Sequence, residues 1–171
     1  MEAARDAVRW LMSTLLIIRH GIAEDFGPGL KDSDRALTEE GWSKTRAAMK
    51  GLARRGFLPT RGFTSPYRRA AETMACLQEV AGGFPMETSL ALLPNARPAQ
   101  VDLWLRGLLA EGRPEAVVAV ISHQPLVSEL VFHLTGRLVE MKKASCAVLC
   151  WEEGAWRFDR LFTPGELRDG A

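Results

Sequence analysis

The feature that most constrains this chain is the strand-forming run Thr-Leu-Leu-Ile-Ile at positions 14–18, which leads directly into Arg19, His20 and Gly21. A short apolar run of this kind is typical of a strand buried on both faces of a parallel sheet. Open α/β sheets bind their ligands at the carboxyl ends of such strands, which is where Arg19 and His20 lie. Gly21 has no side chain, so the backbone there can turn sharply and approach a ligand closely. The stretch therefore predicts a parallel sheet with a polar site at the edge where its strands end.

A second apolar run, at residues 116–121, ends in Ser-His-Gln-Pro and places His123 at another strand-to-helix turn. The rest of the sequence alternates segments of strand character with segments of helical periodicity. This alternation predicts a three-layer α/β/α domain with a mainly parallel central sheet. We expect helices over 38–55, 66–81, 98–111 and 125–134, further strands at 61–64, 145–151 and 156–162, and a short strand or extended segment at 86–93.

The predicted elements fill residues 14–163, which we assign to a single domain. Residues 1–13 precede them as an N-terminal extension, and residues 164–171 follow as a polar tail that we expect to be loose. The extension has acidic residues and no small-residue cleavage site, so a signal peptide is not indicated. No apolar run is long enough to span a bilayer. Translation from Met12 instead of Met1 stays open.

The charge balance and the cysteines narrow the class of protein. Lys plus Arg number 22 and Asp plus Glu number 21 in 171 residues, and this balance favours neither a nucleic-acid nor a membrane partner. The three cysteines are odd in number and widely spaced, which predicts free thiols and a cytoplasmic protein. Cys146 and Cys150 lack the second ligand pair that a zinc site needs.

Four polar residues are expected to meet at strand ends or helix starts: Arg19, His20, Arg69 and His123. Arg69 follows Ser65 and Pro66, a pair typical of a helix start, and a lone arginine there would ordinarily be solvated. Together, arginines match phosphate oxygens, and a neutral histidine can attack phosphorus. A second, cationic histidine stabilises the negative charge on the phosphoryl oxygens during transfer. The set predicts phosphoryl transfer without a metal or cofactor.

Three motifs give this combination a family resemblance. They are Leu-Leu-Ile-Ile-Arg-His-Gly at 15–21, Ser-Pro-Tyr-Arg-Arg-Ala-Ala-Glu-Thr at 65–73 and Val-Ile-Ser-His-Gln-Pro-Leu-Val at 120–127. In this order they resemble the histidine phosphatase superfamily, which includes the phosphoglycerate mutases. The chain is most similar to the small SixA-type phosphohistidine phosphatases, and the segment 32–41 resembles their loop before the first helix. The resemblance spans about 14–162 and implies a phosphoglycerate mutase-like fold.

The resemblance also implies a role for each site residue. His20 is the nucleophile that becomes phosphorylated, and Arg19 and Arg69 bind the phosphate. His123 is the second histidine of the phosphate pocket. Arg35 corresponds to a further pocket arginine, and the Gly21 backbone belongs to the same substrate-binding pocket. The third histidine, His133, matches no motif and reads as structural.

One departure from the family concerns the general acid. SixA-type relatives tend to have Glu near the position where this chain has Asn95. Glu24, Asp25 and Glu87 are alternatives, and none of them lies in a recognisable motif. Connections between elements are short, so large capping insertions are absent and an open, shallow site is expected.

Three functions fit these observations. The first is a phosphatase that hydrolyses phosphohistidine in a protein of the histidine-phosphotransfer type, through phospho-His20. The second is a small-molecule phosphomonoesterase acting on a phosphorylated metabolite. The third is a non-catalytic phosphate-binding module, which is disfavoured because a binder needs no nucleophile. A mutase is disfavoured because it needs an enclosed, water-poor pocket.

Overall fold

Six strands form one sheet at the centre of the protein, in a computed structural model that describes residues 13–109 and 116–169. The strands are β1 Thr14–Arg19, β2 Arg61–Thr64, β3 Met86–Thr88, β4 Val117–Ser122, β5 Cys146–Glu152 and β6 Ala155–Phe162. Their order across the sheet is β3-β2-β4-β1-β5-β6. The first four positions pair in parallel, while β5 and β6 pair antiparallel at the other side. The parallel strands end at one edge of the sheet, called the carboxyl edge below.

Helices cover both faces of the sheet, which confirms the predicted three-layer α/β/α class. The helices are α1 Glu39–Arg54, α2 Arg68–Ala81, α3 Pro98–Leu109, α4 Leu126–Thr135 and α5 Pro164–Arg168. Along β1, Leu16 and Ile18 pack into the apolar cluster that includes residues of α1, α2 and α5. Leu15 and Ile17 pack into the cluster on the opposite face, with residues of α3 and α4. All four side chains are fully buried, because β1 lies at the middle of the sheet with a helical layer on each side.

One helix, α1, begins where the sequence predicts, whereas α2 begins later than predicted. Thr38 is the N-cap of α1, and its side chain accepts the N–H of Gly41, as predicted. α2 begins at Arg68 after an N-cap at Tyr67, two residues later than expected. Ser65 does not cap this helix, because its hydroxyl accepts the N–H of Tyr67 and forms a hydrogen bond with the ring of His123.

The chain after Pro164 is not a loose tail as far as Arg168. It forms α5, which buries Leu167 completely against α1. A Cβ added to Gly51 would lie 1.8 Å from the Leu167 carbonyl oxygen, so the two helices approach within backbone contact. Arg55 also donates to the Glu166 carbonyl at 2.8 Å. The sequence prediction failed because it weighed the polarity of the segment and not its single buried leucine.

The segment 86–93, expected as a short strand or extended segment, begins with the short strand β3 and ends in a 3-10 turn. β3 stops at Thr88, and the 3-10 turn at Leu90–Leu92 follows it. The C-terminal end of the helix expected over 98–111 and the N-terminal extension before Ser13 lie outside the described residues. Among the described helices none is long and apolar enough to cross a membrane.

Candidate active site

The two predicted histidines lie side by side at the carboxyl edge. β1 and β4 are neighbours, and Arg19 pairs in register with Ser122. The next residue on each strand is a histidine, so the rings of His20 and His123 come within 5.2 Å, centroid to centroid. The two residues are only 6% and 2% exposed. The sheet register therefore brings together two motifs that are about a hundred residues apart in the sequence, and their buried histidine rings lie side by side.

Arg69 joins this pair from the first turn of α2. Its Nε–H donates to Nε2 of His20 at 3.3 Å, and the residue is buried. The neighbouring Arg68 instead faces Glu72, at 3.4 Å, with most of its side chain exposed. The structure thus brings Arg69 rather than Arg68 to the histidines.

The hydrogen bonds of His20 determine which nitrogen carries its proton. Nδ1 lies 2.7 Å from the carbonyl oxygen of Gly21. A carbonyl only accepts, so Nδ1 is the protonated nitrogen in the neutral ring. Nε2 therefore keeps its lone pair and directs it toward Arg69. This is the tautomer that a nucleophile needs.

Burial keeps both histidines neutral. Desolvation lowers the pKa of His20 to about 3, and the charges of Arg69 and Arg19 act in the same direction, while the bond to Gly21 opposes them. Desolvation and Arg69 lower the pKa of His123 to about 4, against the opposing charge of Asp32. The sequence interpretation has a cationic His123 stabilising charge on phosphate, whereas the protein groups around the ring by themselves favour its neutral form.

Two of the buried nitrogens that have no hydrogen-bond partner among the described residues belong to predicted site residues. They are Nε of Arg19 and Nδ1 of His123. Arg19 is anchored elsewhere, because its Nη1 donates to the carbonyl oxygen of Met141 at 3.0 Å. A buried donor without an acceptor is costly, and a phosphoryl group on His20 would supply oxygen atoms for such donors.

Ser65 orients His123, a role that the sequence did not indicate. Its Oγ lies 2.7 Å from Nε2 of His123 and also accepts the N–H of Tyr67. When the hydroxyl donates to Nε2, the proton of the neutral ring is on Nδ1. His123 can then donate a hydrogen bond to phosphate without being charged.

Gly21 holds the end of β1 against two helices. Its N–H donates to Oγ1 of Thr73 in α2, at 3.0 Å. A Cβ at this position would lie 2.0 Å from Oγ1 of Thr45 in α1. The glycine is therefore explained by close packing against α1, in addition to the close approach of its backbone to His20.

Arg35 lies beside the pocket and reaches it through Asp32. Nη1 of Arg35 donates to Oδ1 of Asp32 at 2.7 Å, and Nε donates to the carbonyl oxygen of Glu24. Asp32 also accepts from Arg69 through its backbone oxygen, at 2.7 Å, and through Oδ2, at 3.3 Å. The sequence showed Asp32 only as part of a loop and missed this contact.

In the described parts of the chain, the contacts of the three alternative acids lie away from His20, His123 and Arg69. Oε1 of Glu24 accepts the N–H of Ala36 and so holds the loop together. Glu87 lies on β3 and faces Arg61 at 3.6 Å. Asp25 is exposed. Asn95 is also exposed, in a turn that begins after Leu92, whose carbonyl oxygen accepts the hydroxyl of Ser122 beside His123.

The candidate site lies apart from a large cavity of the protein. A cavity of about 580 Å³ is lined by residues such as Thr14, Arg61 and Leu105, and it contains none of the predicted site residues. We place the chemistry at the histidines because donors and a nucleophile converge only there in the part of the chain that is described. Within residues 13–109 and 116–169, no group of three or more His, Cys, Asp or Glu side chains could hold a metal ion.

The neutral histidines lead to a prediction about pH. In an NMR titration, the ring signals of His20 and His123 should not titrate between pH 5.5 and 8, because their pKa values lie near 3 and 4. Histidines in the unfolded chain take up a proton near pH 6.5. The unfolded state therefore binds more protons below that pH, and the free energy of unfolding should decrease as pH falls from 6.5 toward 4. Titration of either ring with a midpoint near 6.5 would contradict this account.

Comparison with known proteins agrees with the geometry. Residues 15–93 match the model of the histidine phosphatase superfamily, branch 1. The phosphohistidine phosphatase SixA of Escherichia coli strain K12 is 35% identical over 161 residues, which cover 90% of this chain and 96% of that protein. The chain belongs to the histidine phosphatase superfamily. An uncharacterized protein of Picosynechococcus is 31% identical over 90% of this chain and 92% of its own length.

Solved structures show the same fold. The protein histidine phosphatase SixA in complex with tungstate superposes with a TM-score of 0.82 at 29% identity, over 90% of this chain and 99% of that one. A phosphoglycerate mutase of Bacillus anthracis superposes with a TM-score of 0.74 at 14% identity, over 93% and 96% of the two chains. The latter likeness concerns the fold alone. The present histidine phosphatase is thus of the SixA type, with the phosphoglycerate mutase-like architecture that its motifs predicted.

Proposed function

We propose that this phosphatase hydrolyses phosphohistidine on a protein through a covalent phospho-His20 intermediate. The observation that carries the proposal is the bond from Nδ1–H of His20 to the Gly21 carbonyl, at 2.7 Å. That bond leaves the Nε2 lone pair beside Arg69, where a phosphoryl group would also meet donors from Arg19 and His123. A neutral imidazole held in this tautomer attacks phosphorus without the help of a base.

The reaction has two displacement steps at phosphorus. In the first, Nε2 of His20 forms a bond to phosphorus while the bond from phosphorus to the substrate nitrogen breaks. A substrate ring protonated on its other nitrogen takes that electron pair and leaves as neutral imidazole. In the second, water attacks phospho-His20, the bond to Nε2 breaks, and both protons of water pass to the phosphate or the solvent. His20 returns to its neutral form.

Charge on the transferring group is neutralised by the chain's own donors in this proposal. Arg19 and Arg69 supply guanidinium N–H groups, and Nδ1 of His123 supplies a third donor from the opposite ring. Phosphoryl transfer depends mainly on positioning and on such electrostatic stabilisation. We therefore propose that the phosphatase works without a metal ion.

The surroundings of the pocket favour a protein substrate over a small metabolite. Phe26 is 75% exposed and stacks on the guanidinium of Arg35 at 4.1 Å. Leu90 is 73% exposed and follows Ser89, whose N–H donates to the end of β2 at Thr64. Both apolar side chains thus lie on loops at the carboxyl edge. Exposed apolar side chains beside an open site are typical of surfaces that contact another protein.

The proposal is tested by comparing substrates in excess EDTA. A phosphorylated histidine-phosphotransfer domain and a sugar phosphate are each incubated with the purified protein, and kcat/KM is measured from phosphate release. We expect rapid turnover of the phosphorylated domain, slow turnover of the sugar phosphate and no effect of EDTA. A preference for the sugar phosphate would favour a small-molecule phosphomonoesterase. Loss of activity in EDTA that a divalent ion restores would contradict the metal-independent mechanism.

Phe26 gives a separate prediction about the protein substrate. Phe26→Ser should lower kcat/KM for the phosphorylated domain about 10-fold, the effect of losing about 1.4 kcal/mol of binding. It should leave the small substrate p-nitrophenyl phosphate unaffected. Phe132→Ser is the matched control, because Phe132 is also exposed but lies in the last turns of α4. An equal loss on both substrates would mean that Phe26 supports the pocket and not the docking of a protein.

A further inference from the structure

The carboxylate of Asp32 lies between two arginines of the candidate site. Oδ1 accepts from Nη1 of Arg35 at 2.7 Å, and Oδ2 accepts from Nη2 of Arg69 at 3.3 Å. The backbone oxygen of Asp32 accepts from Nη1 of Arg69 at 2.7 Å. One residue of the loop after β1 therefore contacts both guanidinium groups through three different oxygen atoms.

The guanidinium of Arg69 donates hydrogen bonds from two different edges. Nη1 and Nη2 are held by Asp32, while Nε donates to Nε2 of His20. A guanidinium is planar and rigid, so fixing one edge also fixes the direction of the other. Nε2 of His20, the atom that carries phosphate in the proposed mechanism, thus faces an N–H donor of Arg69 whose orientation depends on Asp32.

Apolar packing does not explain the position of Asp32. Its 3-10 turn, Asp32–Asp34, contains no buried residue, so the turn is not held by apolar packing. Burial would raise the pKa of Asp32, but the hydrogen bonds from Arg35 and Arg69 and their charges outweigh it and lower the pKa. Asp32 is therefore an anion at neutral pH and does not act as a proton donor to a leaving group.

We infer that Asp32 is a positioning residue for phosphoryl transfer, which aligns the guanidinium of Arg69 on Nε2 of His20 and ties Arg35 to the same pocket. The inference rests on the proposed function only in that phosphate is transferred at His20. Two arginines repel each other, and the carboxylate between them makes their joint placement favourable. Displacement of a positioned group by about 1 Å can cost about 10²-fold in rate.

The first test measures hydrolysis of p-nitrophenyl phosphate, which does not require that phosphohistidine is the natural substrate. We expect Asp32→Ala to lower kcat/KM about 10- to 10²-fold, in line with the cost of misplacement. Asp34→Ala is the matched control: Asp34 lies in the same turn, is exposed and contacts no arginine within residues 13–109 and 116–169, and its removal should change kcat/KM less than about twofold.

A double-mutant cycle shows whether Asp32 acts through Arg69. In the Arg69→Ala background, Asp32→Ala should cost clearly less than in the wild type, because Arg69 is gone and only the contact of Asp32 with Arg35 remains to be lost. The same large loss in both backgrounds would overturn the inference and indicate that Asp32 acts on substrate or water directly. A wild-type-like rate in Asp32→Ala would overturn it as well.

A spectroscopic measurement keeps the inference testable if the protein proves to bind phosphate without hydrolysing it. The Nε–H signal of Arg69, identified by its loss in Arg69→Lys, should be sharp and slow to exchange with water in the wild type. It should broaden in Asp32→Ala and stay unchanged in Asp34→Ala. An unchanged Arg69 signal in a folded Asp32→Ala variant would exclude the positioning role, whatever the activity.

Discussion

Replacing His20 by alanine should reduce kcat about 10³-fold or more and abolish the covalent intermediate. In the proposed mechanism the ring supplies the attacking nitrogen, Nε2, which accepts from Arg69 while the ring lies 5.2 Å from that of His123. Residues that act as a unit lose most of their effect together, so the remaining arginines cannot compensate for its loss. A loss of 10³-fold corresponds to about 4 kcal/mol of transition-state stabilisation.

Two measurements check this expectation. Rapid quench without acid, followed by mass spectrometry, should find phosphate on His20 in the wild type during turnover. His133→Ala is the matched control, because His133 is partly exposed and contacts Asp102 of α3 rather than the pocket. Its kcat should stay within about twofold of the wild type, as expected for a surface substitution. Turnover like that of the wild type in His20→Ala would refute a histidine nucleophile.

The second large effect concerns the leaving group. We expect phosphoramidates and activated aryl phosphates to be cleaved well, and alkyl phosphates about 10²- to 10⁴-fold more slowly, which is the usual worth of general-acid help. The resemblance implies that Asn95 stands near the position where SixA-type relatives tend to have Glu, and the described contacts of Glu24 and Glu87 lie away from the histidines. Asp32 contacts the pocket but is held as an anion by two arginines.

The chemistry of the leaving groups explains the expected order. An alkoxide is a strong base and needs a proton as it departs. A phosphohistidine ring protonated on its other nitrogen leaves as neutral imidazole, whose conjugate acid has a pKa of about 6.5. A site without a general acid therefore cleaves phosphohistidine faster than alkyl phosphates. It needs no contact with the rest of the substrate to do so.

A series of substrates with graded leaving-group pKa tests this directly. A plot of log kcat/KM against leaving-group pKa should fall steeply for the wild type. Asn95→Glu should raise the rates of alkyl phosphates selectively if position 95 faces the leaving group, while Asn95→Gln serves as the control for size. A flat plot for the wild type would show that an unrecognised acid is present, and Glu24→Gln would be the first variant to examine.

Much of the site was predictable from sequence because its main residues sit at the ends of local elements. His20 ends a run whose composition predicts a doubly buried strand, and His123 ends another. Arg69 lies in the first turn of a helix that Ser65 and Pro66 predict, although that helix begins later than expected, at Arg68. Parallel strands end at a common edge, so the convergence of these groups follows from the fold class.

The partners of those residues depend on tertiary contacts between segments far apart in the chain. Asp32 meets Arg69 across 37 residues, Thr73 meets Gly21 across 52, and Ser65 meets His123 across 58. Aspartate, serine and threonine are common in turns and caps for local reasons, so their types do not reveal a distant partner. The sequence thus predicts that His20, His123 and Arg69 meet at one edge of the sheet, because strand and helix patterning is local. The tautomer of His20, the orientation of Arg69 and the neutral state of both rings arise only when the sheet and α2 bury these groups together.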